Sequence, residues 1–172
     1  MNVRAALFVV VIPVGFMATW LLSLVVALTQ AQEVTLAVKG YDPRDLLSGH
    51  YLRYQVDYGS GDLSFSYGEA ICVCLPQTSE ATVQASWIGE CNRRDHATCP
   101  LFIKGVASYR GIKAGIERYF IPEEYSDVLS RIPQDATIKV RVTTDGTSLV
   151  TGMFVGGVPI LEWAKAQGAK PH

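Results

Sequence analysis

The sequence contains few histidines and none of the short motifs that mark common catalytic sites. Three histidines are present, and the 172 residues include no P-loop, dinucleotide-binding G-x-G-x-x-G, H-E-x-x-H or G-x-S-x-G pattern. His50 is the histidine nearest to a candidate site. As a general base it would need a nucleophile and an acid, and only Ser48 with Asp45 or Asp57 stand near it in the sequence. Catalytic partners rarely come from such adjacent positions, so we expect a histidine at a turn and no enzymatic activity.

Charge is also scarce, and the two signs are balanced. Lys and Arg number 15 and Asp and Glu number 16, which gives a net charge of −1. Beyond residue 30 the basic residues number 14 (15 minus Arg4) against the same 16 acidic residues, so that part carries a net charge of −2. This composition predicts no nucleic-acid partner, and no basic cluster is present that would hold anionic lipid.

The one long uncharged run lies at the N-terminus. Residues 5–29, AALFVVVIPVGFMATWLLSLVVALT, would form a helix about 37 Å long, enough to cross a hydrocarbon core of about 30 Å. We therefore predict a transmembrane signal-anchor over residues 1–30 that contacts the lipid bilayer through residues 5–29. Arg4 is the only basic residue before the span, which keeps the N-terminus cytoplasmic. A cleaved secretory signal ending at Ala31 is the alternative, although signal h-regions usually run only about 7–15 residues.

Both topologies export all four cysteines to an oxidising compartment, where disulfides form. Cys72 and Cys74 are two positions apart on a predicted strand, so they share one face and would seldom bridge each other. Two disulfides would tie that strand twice to the loop CNRRDHATC, whereas a single disulfide would close Cys91 to Cys99. Zinc held by the cysteines and His96 is a further alternative. The spacings C-x-C and C-x₇-C do not match zinc knuckles, so we expect neither a metal nor a cofactor.

Hydrophobic alternation predicts a mostly antiparallel β domain over residues 31–163, either a sandwich or a partly open barrel, followed by a flexible tail at residues 164–172. Strands are expected at residues 34–38, 51–58, 63–67, 69–75, 82–88, 101–109, 117–121, 138–142 and 148–155. Asp145-Gly146 predicts a type I′ turn between the last two strands. PEEYSDVLSRI predicts the single short helix of this part, which begins at Pro122 and is stopped by Pro133.

The strand at residues 51–58 has two contrasting faces. One face is apolar and aromatic: Leu52, Tyr54, Val56 and Tyr58. The other face is polar: Tyr51, Arg53, Gln55 and Asp57. This alternation is typical of an antiparallel strand with one face in water. Because the polar face includes an aromatic ring and an arginine, it is a candidate ligand- or partner-binding surface, with a plain solvated face as the alternative.

The stretch DPRDLLSGHYLRYQV resembles the GDYXXLXY domain family of bacterial membrane-anchored proteins. Its motif residues are Asp42, Pro43, Arg44, Asp45, Gly49, His50 and Tyr51. Gly49 and Tyr51 match the named pattern, whereas His50 replaces the Asp, Tyr54 the Leu and Val56 the final Tyr. The segments ERYFIPE at 117–123 and DGTSLVTGMFVGGVPI at 145–160 also look like recurring segments of the family, in the same order.

The resemblance implies an N-terminal anchor, an exported β-rich domain and a multi-pass membrane protein, encoded nearby, as a partner. It implies no known activity. We therefore expect a single-pass protein of the bacterial inner membrane whose C-terminal, periplasmic domain is a non-enzymatic binding or accessory module. The alternative is a membrane-anchored hydrolase similar to signal peptidases. In that case Asp42-Pro43 stands where a serine should be, and Lys104 would be a base without a nucleophile.

Overall fold

The computed structural model describes residues 3–41, 51–59, 65–78, 82–95, 97–126, 128–129 and 133–168. The chain divides into two compact units, Met1–Ala31 and Gln32–His172. The stretch that precedes β2, including Asp42, Pro43, Arg44, Asp45, Gly49 and His50, lies outside the described residues.

The first unit is the helix α1, Val3–Thr29, which runs for 27 residues. The hydroxyls of Thr19 and Ser23 donate to the carbonyls of Gly15 and Trp20, at 2.8 and 2.7 Å, so these polar groups are satisfied within the helix. Residues 11–26 are all exposed. Among the described residues, no helix combines the length and the apolar character that a membrane crossing requires. The anchor stays a prediction from the sequence.

In its described residues, the second unit contains ten strands and one short α-helix. The strands are β1 Gln32–Tyr41, β2 Tyr51–Asp57, β3 Ala70–Leu75, β4 Trp87–Glu90, β5 Leu101–Ser108, β6 Gly111–Lys113, β7 Arg118–Phe120, β8 Ala136–Val142, β9 Ser148–Val155 and β10 Val158–Pro159, and the helix is α2 Ile160–Ala166. They form a six-stranded sheet in the order β10-β9-β8-β1-β2-β7 and a four-stranded sheet in the order β4-β3-β5-β6. Every strand pair that the structure describes is antiparallel, which confirms the mostly β, antiparallel fold.

The inner faces of the two sheets share one apolar core. Leu36 and Ile138 of the six-stranded sheet are buried in the same cluster as Val73 and Ile103 of the four-stranded sheet. Alternate residues of β1 and β8 enter this cluster because successive side chains of a strand point to opposite faces. Burial of this apolar surface is the main term that favours the folded state.

Residues 82–86 connect the two sheets instead of continuing a strand. The Val83 N–H donates to the Thr35 carbonyl at 2.8 Å, and the Ser86 N–H donates to the Cys74 carbonyl at 2.9 Å. Thr35 belongs to the six-stranded sheet and Cys74 to the four-stranded sheet. The strand predicted at residues 82–88 was therefore wrong at its start, since only β4, from Trp87, joins a ladder.

Two further predictions of local structure were wrong in their described residues. The predicted helix at 122–132 is reduced to a 3-10 helix, Glu123–Tyr125, and one turn in which the Leu129 N–H donates to the Tyr125 carbonyl. A segment this short has little helical stability of its own, so burial of Tyr125 and Leu129 decides its shape. The strand predicted at 63–67 is absent over residues 65–67, because a turn with Gly68 at φ +84 occupies this position.

The hairpin between β8 and β9 was correctly placed, but its turn type was wrong. A type I′ turn needs positive φ at both central residues, and in this turn only Gly146 has one, at +84. The Gly146 N–H donates to the Thr143 carbonyl at 3.0 Å, and the Thr143 N–H donates to the Thr147 carbonyl at 2.9 Å. These bonds define a three-residue loop that ends in a left-handed glycine.

The ordered structure extends past the point where the sequence places the flexible tail. α2 runs to Ala166, with Ile160 and Ala164 buried. The flexible tail was predicted to begin at residue 164, but residues 164–166 are helical. The two residues are four positions apart and lie on one face of a helix, which allows both to pack on the core. Alternation alone gave no signal for this helix.

Candidate partner-binding surface

Four side chains meet on the outer face of the six-stranded sheet, where β2 pairs with its edge strand β7. Tyr51 is opposite Phe120 and Arg53 is opposite Arg118 in the register of the two strands. Leu52, between Tyr51 and Arg53, is buried on the inner face. We call Tyr51, Arg53, Arg118 and Phe120 the β2–β7 patch.

The β2–β7 patch is an aromatic pair flanked by two guanidinium groups. The rings of Tyr51 and Phe120 meet edge to face, with centroids 6.1 Å apart. The guanidinium carbons of Arg118 and Arg53 lie 5.1 and 5.8 Å from the centroid of the Tyr51 ring, within the range of cation–π attraction. Nη2 of Arg53 also donates to the Tyr51 hydroxyl at 3.3 Å. Phe120 contacts this cluster through the ring of Tyr51 and is 77% exposed.

The other two residues of the predicted polar face are engaged by the chain itself. Nε2 of Gln55 donates to the Arg110 carbonyl at 2.8 Å. Asp57 pairs with Lys39, with 2.6 Å between Nζ and Oδ2, and accepts from the Gly59 N–H at 3.0 Å. Partial burial of Asp57 opposes its ionisation, but the hydrogen bonds from Lys39 and Gly59 outweigh it and lower the pKa of the carboxyl. Of the predicted polar face, Tyr51 and Arg53 therefore belong to the β2–β7 patch, whereas Gln55 and Asp57 make contacts within the domain.

Sequence reasoning found half of the patch. It selected Tyr51 and Arg53 from the alternation in β2, and it missed Arg118 and Phe120. The segment ERYFI alternates in the same way, so it places Arg118 and Phe120 on one face. Alternation does not say which strands pair, and that pairing is what brings the two arginines and two rings together.

The comparison with known proteins gives a single result. The sequence pattern of one family, described as GDYXXLXY protein, matches residues 13–153, which is most of the chain. The chain belongs to the GDYXXLXY family. No curated protein and no solved structure matches it. The family resemblance of the sequence is thus confirmed.

The four cysteines of this family member form two disulfides on the outer face of the four-stranded sheet. Cys72 is bonded to Cys91 and Cys74 to Cys99. Of the pairings left open by the sequence, the one in which β3 is tied twice to the following loop is confirmed. Disulfide sulfurs are not thiolates, so they do not provide the zinc ligands of the alternative interpretation. No group of three or more His, Cys, Asp or Glu suited to a metal ion occurs among the described residues, and His96 lies outside them.

An arginine of the loop that follows β4 packs on the face of the sheet that carries the disulfides. The guanidinium of Arg94 lies 3.5 Å from the centroid of the Phe102 ring, and its Nη1 donates to the Cys99 carbonyl at 3.0 Å. Lys104, the base of the hydrolase alternative, is exposed on β5, with its Nζ 5.8 Å from the same ring. Ser48, which stands near His50 in the sequence, lies outside the described residues.

Two tyrosines, one in β2 and one directly after it, place hydroxyls in the core. Tyr54 and Tyr58 are both buried, and neither hydroxyl has a hydrogen-bond partner among the described residues. Burial raises the pKa of both phenols, and the negative charge of Glu117 raises it further. Both hydroxyls therefore remain neutral at physiological pH.

Proposed function

We propose that this protein is a single-pass, membrane-anchored, non-enzymatic binding module of the bacterial envelope. In this proposal α1 lies in the inner membrane and the domain beyond it lies in the periplasm. The β2–β7 patch binds a multi-pass membrane protein encoded nearby, the partner that the family resemblance implies.

Support for the anchor comes from the sequence of α1. Residues 5–29 carry no charge, and a helix of these 25 residues would extend for about 37 Å, more than the roughly 30 Å of a hydrocarbon core. The exposed apolar side chains of residues 11–26 would be costly in water and favourable in lipid.

Support for an extracytoplasmic location comes from the disulfides. Stable disulfides are rare in the reducing cytosol and common in the bacterial periplasm. All four cysteines are paired, and Cys72, Cys74 and Cys99 are almost fully buried. A domain that depends on two such bonds is suited to an oxidising compartment.

The observation that carries the binding role is the exposure of Phe120 within an arginine–aromatic cluster. Protein interfaces are enriched in Tyr, Phe and Arg at their centres, and Tyr and Arg are frequent among the residues that dominate binding energy. The ring of Phe120 contacts the ring of Tyr51 edge to face, and the guanidinium of Arg118 lies over that same Tyr51 ring. An aromatic side chain has only two rotatable χ angles, so ordering it on binding costs little conformational entropy.

Co-expression with the neighbouring multi-pass membrane protein tests the proposal. The tagged full chain should retain that protein through purification in mild detergent, and Phe120→Ala or Arg118→Ala should weaken retention by about tenfold or more. Leu149→Ala is the matched control, because Leu149 is 58% exposed on β9 of the same sheet and is not part of the patch. Purification of the wild-type chain alone, or equal retention by Phe120→Ala, would contradict the proposal.

The anchor is tested separately. The full chain should remain in the membrane fraction after an alkaline wash, and a variant lacking residues 5–29 should be released. A mature chain found reduced and free in the cytosol would contradict both the anchor and the location.

A further inference from the structure

A cleft of about 310 Å³ opens on the outer face of the four-stranded sheet, beside the loop that the disulfides hold. Its polar and aromatic lining consists of Ser86, Trp87, Arg93, Asp95 and Thr98. The volume is at the low end of the roughly 300–1,000 Å³ that small-molecule sites span. The cleft therefore suits a ligand of one or two rings and is too small for a folded partner.

Trp87 provides the apolar wall of the cleft. Gly89 lies two positions further along β4 and so faces the same side of the sheet. A Cβ added at Gly89 would be 2.4 Å from Cζ2 of Trp87, which means that the indole occupies the space a side chain would need. The absence of a side chain at Gly89 therefore allows this position of the indole, and 38% of Trp87 remains exposed.

The floor of the cleft is fixed covalently. Cys74 is opposite Trp87 in the ladder of β3 and β4, and its disulfide with Cys99 also lines the cleft. The second bond, from Cys72 to Cys91, holds the other end of the loop. A site on a covalently fixed loop needs little rearrangement to bind a ligand.

Hydroxyl groups on the rim can accept hydrogen bonds from a ligand. Oγ of Ser86 donates to the Cys74 carbonyl at 3.2 Å, and Oγ1 of Thr98 donates to Oδ2 of Asp95 at 3.1 Å. A hydroxyl that donates its single proton in this way still has oxygen lone pairs that accept. Both hydroxyl oxygens are thus oriented by the protein before any ligand arrives.

The charges that line the cleft are balanced. Arg93 and Asp95 contribute one charge of each sign, and Nη2 of Arg93 is already 3.3 Å from Oε1 of Glu90. An anionic ligand would meet the carboxylate of Asp95, and a cationic ligand would meet the guanidinium of Arg93. This balance favours an uncharged ligand with many hydrogen-bonding groups.

We propose that this cleft binds a neutral saccharide, with the C–H face of a sugar ring packed on the indole of Trp87 and its hydroxyls hydrogen-bonded to the rim. A sugar combines an apolar ring face with hydroxyls that both donate and accept. Inorganic phosphate has no apolar face, and an apolar molecule would offer no donor to the accepting lone pairs of the rim hydroxyls. The ligand class follows from one aromatic wall, a polar rim and no net charge.

Titration calorimetry on the full chain in mild detergent tests this site. The probes are maltose and N,N′-diacetylchitobiose, with inorganic phosphate and trialanine as the anionic and peptide comparisons. At least one disaccharide should bind saturably, and Trp87→Ala should weaken that binding by about tenfold or more. Gly89→Ala keeps the indole but displaces it, so it should weaken binding as well. Tyr67→Ala, which removes an exposed ring outside the cleft, should leave binding unchanged.

Three results would overturn the saccharide site: no saturable binding of either disaccharide, equal binding by Trp87→Ala, or tighter binding of phosphate or trialanine. Equal thermal unfolding midpoints for the wild type and Gly89→Ala would show that a loss of binding is not a loss of folding. Phe120→Ala should leave saccharide binding unchanged, because Phe120 does not line the cleft. Failure of this site and failure of the β2–β7 patch are therefore distinguishable.

Discussion

The outer faces of the two sheets are built in opposite ways. On the six-stranded sheet the outer face is open, and neighbouring strands are joined by surface ion pairs such as Lys139 with Glu33 at 3.3 Å. On the four-stranded sheet the outer face carries Cys72, Cys74 and Phe102, which are almost fully buried. A loop fixed by two disulfides takes the place of water there.

This difference explains why one strand alternates and the other does not. In β1 the buried positions alternate with exposed or half-buried ones, as expected for a sheet with one wet face. In β3 every residue from Ile71 to Leu75 is buried. A strand that is covered on both sides requires apolar side chains at every position. Two of these residues in β3 are cysteines, and their disulfides hold the covering loop.

The largest expected effect comes from breaking the two disulfides that hold this loop. Reduction of both disulfides should lower the free energy of unfolding by about 2–5 kcal/mol for each bond, because each closes a loop of 19 or 25 residues. Hydrogen exchange should accelerate in β3 and β4 more than in β1 and β8. A variant with all four cysteines changed to alanine controls for direct effects of the reductant. Equal acceleration in both sheets would show that the disulfides stabilise the whole domain and not one face.

A smaller effect is expected where the β8–β9 turn meets the covered face. Gly146 has φ +84, and a Cβ there would be 2.3 Å from Cε2 of Phe102, a ring that Arg94 covers. Gly146→Ala should therefore destabilise the protein by about 2–4 kcal/mol in denaturant unfolding. Gly157→Ala is the matched control, since Gly157 has the same φ of +84 but open space around it. It should cost only about 1–2 kcal/mol, and equal losses would mean that Phe102 moves aside freely.

The smallest effect concerns the acid in the same turn. Hydrogen bonds from the hydroxyls of Thr143 and Thr147 lower the pKa of Asp145 to about 2. Because the folded pKa lies below the unfolded value of about 3.9, the stabilisation is present above pH 4 and is lost as the pH falls towards 2. The stability difference between the wild type and Asp145→Asn should shrink over that interval. Since Asp145 is exposed, the difference should stay below about 1 kcal/mol.

A direct measurement of that acid supplies the control. Thr147→Val removes one donor, so an NMR titration should show a higher pKa for Asp145 in this variant. An unchanged titration midpoint would assign the low pKa to another cause.

Sequence reasoning succeeded where the pattern is local. The period of two in residues 51–58 correctly separated the buried Leu52 and Tyr54 from the outward Tyr51 and Arg53. The sequence pattern gave the wrong secondary structure where one segment hydrogen-bonds to both sheets, and where a predicted helix is only a short turn. Val83 and Ser86 lie in a predicted strand but bond to different sheets, and Tyr125 ends a 3-10 helix where a longer α-helix was predicted. In both cases distant hydrogen bonds or burial decided the structure over local preference.

The sequence by itself determined the family, the strand faces and the uncharged run of residues 5–29, because each of these is read from neighbouring residues. Only the tertiary structure decided which cysteines bond, which strand carries Phe120 to Tyr51, and that Gly89 makes room for the indole of Trp87. The first two depend on pairing between residues far apart in the chain, and hydrophobic alternation is identical for many pairings. The third depends on the direction of one ring, which packing sets.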